Sequence, residues 1–206
     1  MAGVIAGLYV ITDSAQQAVA DAIRGGAQVV QYRDKSADTV RRKEAADALA
    51  RLCRGAGVCF IVNDDVALAA AVGADGVHLG QDDSSVAAAR AQLGSRAIVG
   101  VSCYNSLERA ADAVAAGADY AGADYVAFGS VYPSPTKPQA VRAPLSLFAE
   151  ARALTDRPLV AIGGINATNA AAVRAAGADA VAVIDGVFGA DNVEAAAAAI
   201  AKQFND

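Results

Sequence analysis

One short motif, recurring four times, constrains this 206-residue chain more than any other feature. Gly26-Ala-Gln-Val-Val30, Gly73-Ala-Asp-Gly-Val77, Gly122-Ala-Asp-Tyr-Val126 and Gly177-Ala-Asp-Ala-Val181 follow one another about fifty residues apart. Each joins the end of an alanine-rich amphipathic stretch to a short β-branched run. The glycine supplies a left-handed helix stop, and the small residue after it lets a strand begin close beneath. With the runs between the copies, the strand candidates are Leu8–Thr12, Gln28–Arg33, Val58–Val62, Gly76–Leu79, Ile98–Ser102, Tyr125–Gly129, Leu159–Gly163 and Ala180–Ile184. Every crossover is long enough for a helix. One such stretch spaces Val40, Ala45, Ala48, Leu49 and Leu52 on a face opposite Arg41, Arg42 and Arg51. Eight parallel βα units of this regularity predict an α/β fold, a (β/α)8 TIM barrel, as a single domain over 1–206. An open doubly wound sheet is the alternative.

Composition narrows the function classes. An apolar share of 55% against 19% charged residues supports a large core and excludes disorder as the main state. A net charge of −5 argues against a broad nucleic-acid surface, and no apolar run reaches the roughly 18 residues needed to span a bilayer. Met1-Ala-Gly-Val-Ile carries no basic stretch ahead of its apolar residues, so it does not read as a signal peptide and a cytoplasmic protein is expected. Cys53, Cys59 and Cys103 form neither an even disulfide set nor a close metal pair and read as reduced core thiols. No oligomeric state is assigned. Two irregularities break the repeat. Gly117-Ala-Asp-Tyr-Ala121 runs straight into the similar Gly122-Ala-Asp-Tyr-Val126, and Gly129 to Pro144 holds a proline-rich segment too long for a simple βα turn, a lid or ligand-clamp candidate.

In a barrel, chemistry collects at the C-terminal strand ends. The second strand ends in Gln31-Tyr32-Arg33-Asp34-Lys35, where alternation puts Gln31, Arg33 and Lys35 on one side, donors suited to a polyanion. The third ends in Asn63-Asp64-Asp65 and the fourth in His78-Leu-Gly-Gln-Asp82-Asp83, carboxylates that could share a hard cation such as Mg²⁺. Helix capping is the competing reading: Asp64 or Asp65 for the third helix, Asp83 or Ser84 for the fourth. His78, the one histidine, reads as a hydrogen-bonded core residue. The fifth strand ends at Ser102, and the sixth leads into Ser134-Pro135-Thr136-Lys137. The seventh and eighth end in Gly163-Gly164 and Ile184-Asp185-Gly186, where exposed backbone N–H groups can hold a phosphate; Asp185 opposes an anion there unless it turns away.

Read in order, Leu8-Tyr-Val-Ile-Thr-Asp13, Gln31-Tyr-Arg-Asp-Lys35, Val62-Asn-Asp-Asp65, Gly76-Val-His-Leu-Gly-Gln-Asp-Asp83, Gly100-Val-Ser102, Pro133-Ser-Pro-Thr-Lys137 and Ala161-Ile-Gly-Gly-Ile165 resemble the thiamine-phosphate synthase family over nearly the whole chain. The resemblance implies a (β/α)8 enzyme that joins a hydroxymethylpyrimidine diphosphate to a thiazole phosphate with Mg²⁺, releasing pyrophosphate. It implies that Gln31, Tyr32, Arg33, Asp34, Lys35 and Asn63 hold the pyrimidine diphosphate, with Lys137 reaching it from the lid and Arg33, Lys35 and Lys137 as the catalytic cations. It assigns Mg²⁺ to Asp64 and Asp83 rather than Asp65 and Asp82, and another substrate contact to Ser102. Ser134, Pro135, Thr136, Gly164, Ile184 and Asp185 would face the thiazole phosphate. Two departures stand out: the family usually has serine where Asp185 stands, and the tandem repeat at 117–126 is unusual for it.

The inventory suits that chemistry. Departure of diphosphate needs charge neutralised, the aminopyrimidine can spread positive charge, and the thiazole nitrogen attacks with its own lone pair, so no side-chain base is required. Two alternatives remain at this point: a related thiazole tautomerase, which a diphosphate and metal kit does not fit, and a non-catalytic barrel that senses thiazole phosphate or thiamine phosphate. Pyrophosphate release separates the first, and binding without turnover would mark the second.

Overall fold

The structure, a computed structural model, describes residues 5–13, 16–81, 83–115, 122–134 and 139–204. Strands and helices alternate: β1 Gly7–Thr12, α1 Gln16–Arg24, β2 Ala27–Tyr32, α2 Thr39–Ala56, β3 Cys59–Asn63, α3 Val66–Val72, β4 Gly76–Leu79, α4 Val86–Leu93, β5 Ile98–Tyr104 and α5 Leu107–Val114. They continue with β6 Tyr125–Gly129, α6 Ser146–Arg152, β7 Leu159–Ile162, α7 Ala170–Ala175, β8 Ala180–Val183, α8 Asp185–Phe188 and α9 Val193–Ala201. All pairings are parallel and β1 pairs with both β2 and β8, so the sheet closes in sequence order. Closure removes both sheet edges and rules out the open sheet.

Strand alternation divides the core in two. Tyr9, Ile11, Val29, Ile61, Val160 and Ala182 face the lumen, whereas Leu8, Val10, Val30, Val62, Val126 and Phe128 pack outward beneath the helices. Helix α2 corrects the predicted face. It buries Ala46, Leu49, Ala50 and Cys53, while Val40 is 67% exposed and Arg42 turns inward to Asp65. The first turn of such a helix stands at the barrel rim, where no core lies beneath it, so only the later turns bury a stripe. All three cysteines are buried and unpaired, and burial pushes each thiol up to about 12.

The repeat has a structural meaning that the sequence does not reveal. In three copies the aspartate clamps the start of the preceding strand: Asp75 accepts from Phe60 N–H at 2.8 Å, Asp124 from Val99 N–H at 2.8 Å, and Asp179 from Leu159 N–H at 2.7 Å. Each also returns its own N–H to the carbonyl of that same residue. Arginines from the outer helices join the last two clamps, Arg90 to Asp124 at 2.6 Å and Arg152 to Asp179. Of the tandem duplication, 116–121 lie outside the described residues; the second copy is the one that leads into β6.

Candidate active site

At the C-terminal rim, Asp64 and Asp83 come together. Asp64 adopts a left-handed backbone (φ 61°), a conformation aspartate tolerates, and its N–H donates to the His78 carbonyl at 2.8 Å. Asp83 is drawn in by the Gly80 N–H at 2.6 Å. Both carboxylates converge over Gly80, where a Cβ would lie 2.7 Å from Asp83 Oδ2 and 3.9 Å from Asp64 Oδ1. Burial, and then the adjoining Asp64 carboxylate, push the Asp83 pKa up. Lys35, from the loop after β2, pairs with Asp64.

The other acidic candidates separate from this pair. Asp65 caps α3, accepting from Leu68 N–H at 2.9 Å, and pairs with Arg42. Helix α4 is capped by Ser85, which accepts from Ala88 N–H at 3.1 Å, and not by Asp83 or Ser84. Asp82 lies outside the described residues. Two convergent carboxylates fit Mg²⁺, which characteristically takes one or two of them and completes its shell with water and substrate phosphate. Among the described residues no group of three or more His, Cys, Asp or Glu side chains offers a fuller cage.

Arg33 directly follows β2, its N–H donating to the Thr12 carbonyl at 2.7 Å, and alternation continues the lumen-facing Gln31 side at that position. Tyr32 and Asp34 do not join this face. Tyr32 is 1% exposed within the outer core, and Asp34 is engaged by Ser36 N–H, Arg41 and the Tyr32 hydroxyl. The Ser36 N–H, first among these, holds the Asp34 carboxyl below its ordinary range. Their contacts shape the loop that carries Lys35.

Across the mouth, the register sets Asn63, His78, Gly100 and Tyr125 side by side on β3 to β6. His78 is buried, its Nδ1 at 2.9 Å from Tyr125 Oη and its Nε2 at 2.8 Å from Ser102 Oγ. Burial lowers its pKa to about 4, so it is neutral at pH 7, the satisfied core histidine expected. Gln31 donates to Tyr9 Oη at 2.5 Å. Arg109, from α5, ties the β4 and β5 ends together by donating to the Ser102 and Gly80 carbonyls at 2.7 and 3.2 Å. A groove of about 960 Å³ beside Asp83, lined in part by Gly80, Tyr104, Arg109 and Val141, flanks this rim without entering the lumen. Tyr9, Tyr125 and Arg109 are not among the sequence candidates: the tyrosines fall inside strand runs, and nothing in the local pattern marks the arginine on α5.

The opposite side is glycine-walled. Val131 and Tyr132 N–H donate to the Ile162 and Gly163 carbonyls, both at 3.0 Å, which pins the start of the long loop onto the end of β7. At Gly164 (φ 62°) a Cβ would meet the Pro133 carbonyl at 2.2 Å, so only glycine permits this approach. Ser134 is half-buried beside it. Ile184 and Asp185 open the short helix α8, with Asp185 exposed in its first turn. Pro135, Thr136 and Lys137 lie outside the described residues.

Comparison with known proteins agrees with this architecture. Residues 8–187 match the family described as thiamine monophosphate synthase. A thiamine-phosphate synthase from Thioalkalivibrio sulfidiphilus is 57% identical, covering 96% of this chain and 95% of its own length. One from Halorhodospira halophila is 55% identical, covering 97% and 95%. Among solved structures, thiamine phosphate pyrophosphorylase from Pyrococcus furiosus superposes with a TM-score of 0.85 at 38% identity, covering 96% of this chain and 95% of its own. With a family match over residues 8–187 and relatives more than half identical over nearly the full length of both chains, this chain belongs to the thiamine-phosphate synthase family.

Proposed function

We propose that this chain, acting as one domain over 1–206, condenses 4-amino-2-methyl-5-(diphosphooxymethyl)pyrimidine with the thiazole phosphate 4-methyl-5-(2-phosphooxyethyl)thiazole, giving thiamine phosphate and pyrophosphate. The observation that carries the reading is the meeting of Asp64 and Asp83 with Lys35 on one rim, Lys35 standing in the same post-β2 segment as Arg33. Paired carboxylates beside cations suit a doubly phosphorylated leaving group held with a divalent ion, and proton movement within a thiazole would need neither. Asp64 and Asp83 would hold Mg²⁺, which when bound offsets charge on the departing diphosphate.

The protein's own part is orientation and charge. The methylene carbon–oxygen bond breaks and its electron pair leaves with diphosphate, met by Arg33, Lys35 and, from the long loop, Lys137. The aminopyrimidine shares the positive charge, positioned by Gln31, Asn63 and Ser102. The thiazole nitrogen then donates its lone pair to the methylene carbon, forming the new carbon–nitrogen bond. Ser134, Pro135, Thr136, Gly164 and the Ile184-Asp185 turn would hold the thiazole phosphate at the glycine-walled side, where loops seven and eight of such barrels commonly bind phosphate. Small-molecule substrates in the cytoplasm complete the proposal, a setting that suits three reduced, buried thiols. Among the described residues no helix is long and apolar enough to cross a membrane.

The test is purified protein with both substrates and Mg²⁺, followed for thiamine phosphate and pyrophosphate in equal amounts. EDTA should abolish both products, and Lys137→Ala should slow turnover roughly a few hundredfold, as loss of one well-aimed donor to developing charge does. Thiazole isomerisation without pyrophosphate, or binding of both substrates without turnover, would overturn the reading.

A further inference from the structure

Beneath the mouth, five polar side chains from five strands form one continuous line through an otherwise apolar lumen. Gln31 Nε2 reaches Tyr9 Oη at 2.5 Å, Tyr9 Oη lies 3.0 Å from Tyr125 Oη, Tyr125 Oη 2.9 Å from His78 Nδ1, and His78 Nε2 2.8 Å from Ser102 Oγ. The two ends are residues with a substrate role under the function proposed above. The three between them have none. We propose that Tyr9, Tyr125 and His78 are positioning residues, a one-way hydrogen-bond chain that makes the Ser102 hydroxyl a donor, and the Gln31 carbonyl oxygen an acceptor, toward the substrate.

The direction follows from counting protons. The Gln31 amide N–H occupies the Tyr9 oxygen as donor, and the single Tyr9 proton has Tyr125 as its acceptor. Tyr125 therefore accepts from Tyr9 and gives its own proton to His78 Nδ1. An imidazole whose Nδ1 accepts carries its hydrogen on Nε2, which donates to Ser102 Oγ. The serine oxygen is then already an acceptor within the chain, and its own proton is turned outward. Run backwards from His78, the chain would bring two donors to Tyr9 and leave its hydroxyl proton without an acceptor among the described residues, a costly state for a buried group.

The scaffold makes room for this line. A Cβ at Gly100 would lie 2.0 Å from Tyr125 Cζ, so the glycine on β5 is what lets the tyrosine ring cross toward β4. There it stacks on His78, with centroids 5.5 Å apart and planes at 27°. Tyr9 meets the other side of the Tyr125 ring edge-on at 6.2 Å. Both tyrosine rings are fully buried, so replacing either by phenylalanine removes a hydroxyl and leaves the ring in place.

This inference rests on the proposed function for the roles of Gln31 and Ser102, but its main readout does not. The chain has one histidine, so an imidazole ¹H–¹⁵N two-bond correlation spectrum of labelled wild-type protein reports the His78 tautomer directly. The expected result is one species, protonated on Nε2. Tyr125→Phe should shift the Nδ1 resonance as its donor is lost, and should weaken binding of the pyrimidine diphosphate and lower kcat/KM for it about tenfold, the weight of one well-made hydrogen bond. KM for thiazole phosphate should stay within twofold. Tyr9→Phe should act in the same direction, and decides the matter if Tyr125→Phe does not fold. A wild-type histidine protonated on Nδ1, or folded phenylalanine variants with an unchanged spectrum and unchanged pyrimidine diphosphate binding, would overturn the proposal. Wild-type protein that shows the Nε2–H species and binds the pyrimidine diphosphate, yet makes no thiamine phosphate, would instead defeat the function proposed above and leave the chain standing.

Discussion

The aspartate clamps of the Gly-Ala-Asp motif yield a ranked stability series. Asp124 accepts both the Val99 N–H and Arg90 Nη2, and the Arg90 side chain is only 6% exposed. Asp124→Ala therefore orphans a strand N–H and takes a carboxylate away from a buried guanidinium that keeps the carbonyls of Ser95, Ala97 and Gly122. Breaking a buried pair costs about 3–5 kcal/mol, and the remaining carbonyl partners favour the lower part of that range. Asp179→Ala removes a similar clamp, but Arg152 and Asp179 are 36% and 39% exposed, so solvent screens the loss and about 2 kcal/mol is expected. Asp75→Ala loses chiefly the Phe60 N–H bond, worth about 1–2 kcal/mol. Urea unfolding should give that order in midpoint with unchanged slope, and for a chain of this size Asp124→Ala should lower Tm by roughly 10 °C. Adding Arg90→Met to Asp124→Ala should recover part of the loss. Equal losses at Asp75 and Asp124, or no recovery in the double variant, would refute the claim that the buried arginine sets the ranking.

Three further outcomes follow from the rim. His78 has its pKa lowered from 6.5 to about 4, so between those values the unfolded chain takes up a proton that the folded chain refuses. Its contribution is intact above pH 6.5 and fades as pH falls toward 4, by up to roughly 3 kcal/mol; the difference in unfolding free energy between wild type and His78→Gln should narrow over that window, and a constant difference would count against it. Asp83→Asn should raise the Mg²⁺ concentration needed for half-maximal activity while, in EDTA, raising Tm, because the ionised Asp83 is disfavoured beside Asp64 in the folded protein. A lower Tm in EDTA would show the pair to be stabilising by itself. Asp185→Ser should lower KM for thiazole phosphate by about threefold if the exposed carboxylate repels that phosphate, and steady-state kinetics at low salt will show whether it does.

Strand positions were legible because a buried parallel strand needs a short β-branched run and a long crossover, and both leave a pattern in one dimension. Observed and expected strand bounds agree within one residue at most ends, and the main exception is β5, which runs on to Tyr104. Chain order also delivers Arg33, Lys35, Asp64 and Asp83 to the same end of the barrel, since each follows directly on a parallel strand. What it could not sort was equivalent residues within one loop. Asp64 and Asp65 are chemically identical neighbours, and only the left-handed turn at Asp64 aims one carboxylate at Asp83 while the other caps α3. Likewise Tyr9 and Tyr125 are 116 residues apart, and their hydroxyls meet only because closing the sheet brings β1 and β6 across a shared lumen. Periodicity along the chain thus determined the barrel and which residues reach its rim. Tertiary closure decided which of them touch, because contact between side chains on different strands depends on register and backbone turn, quantities that no local pattern records.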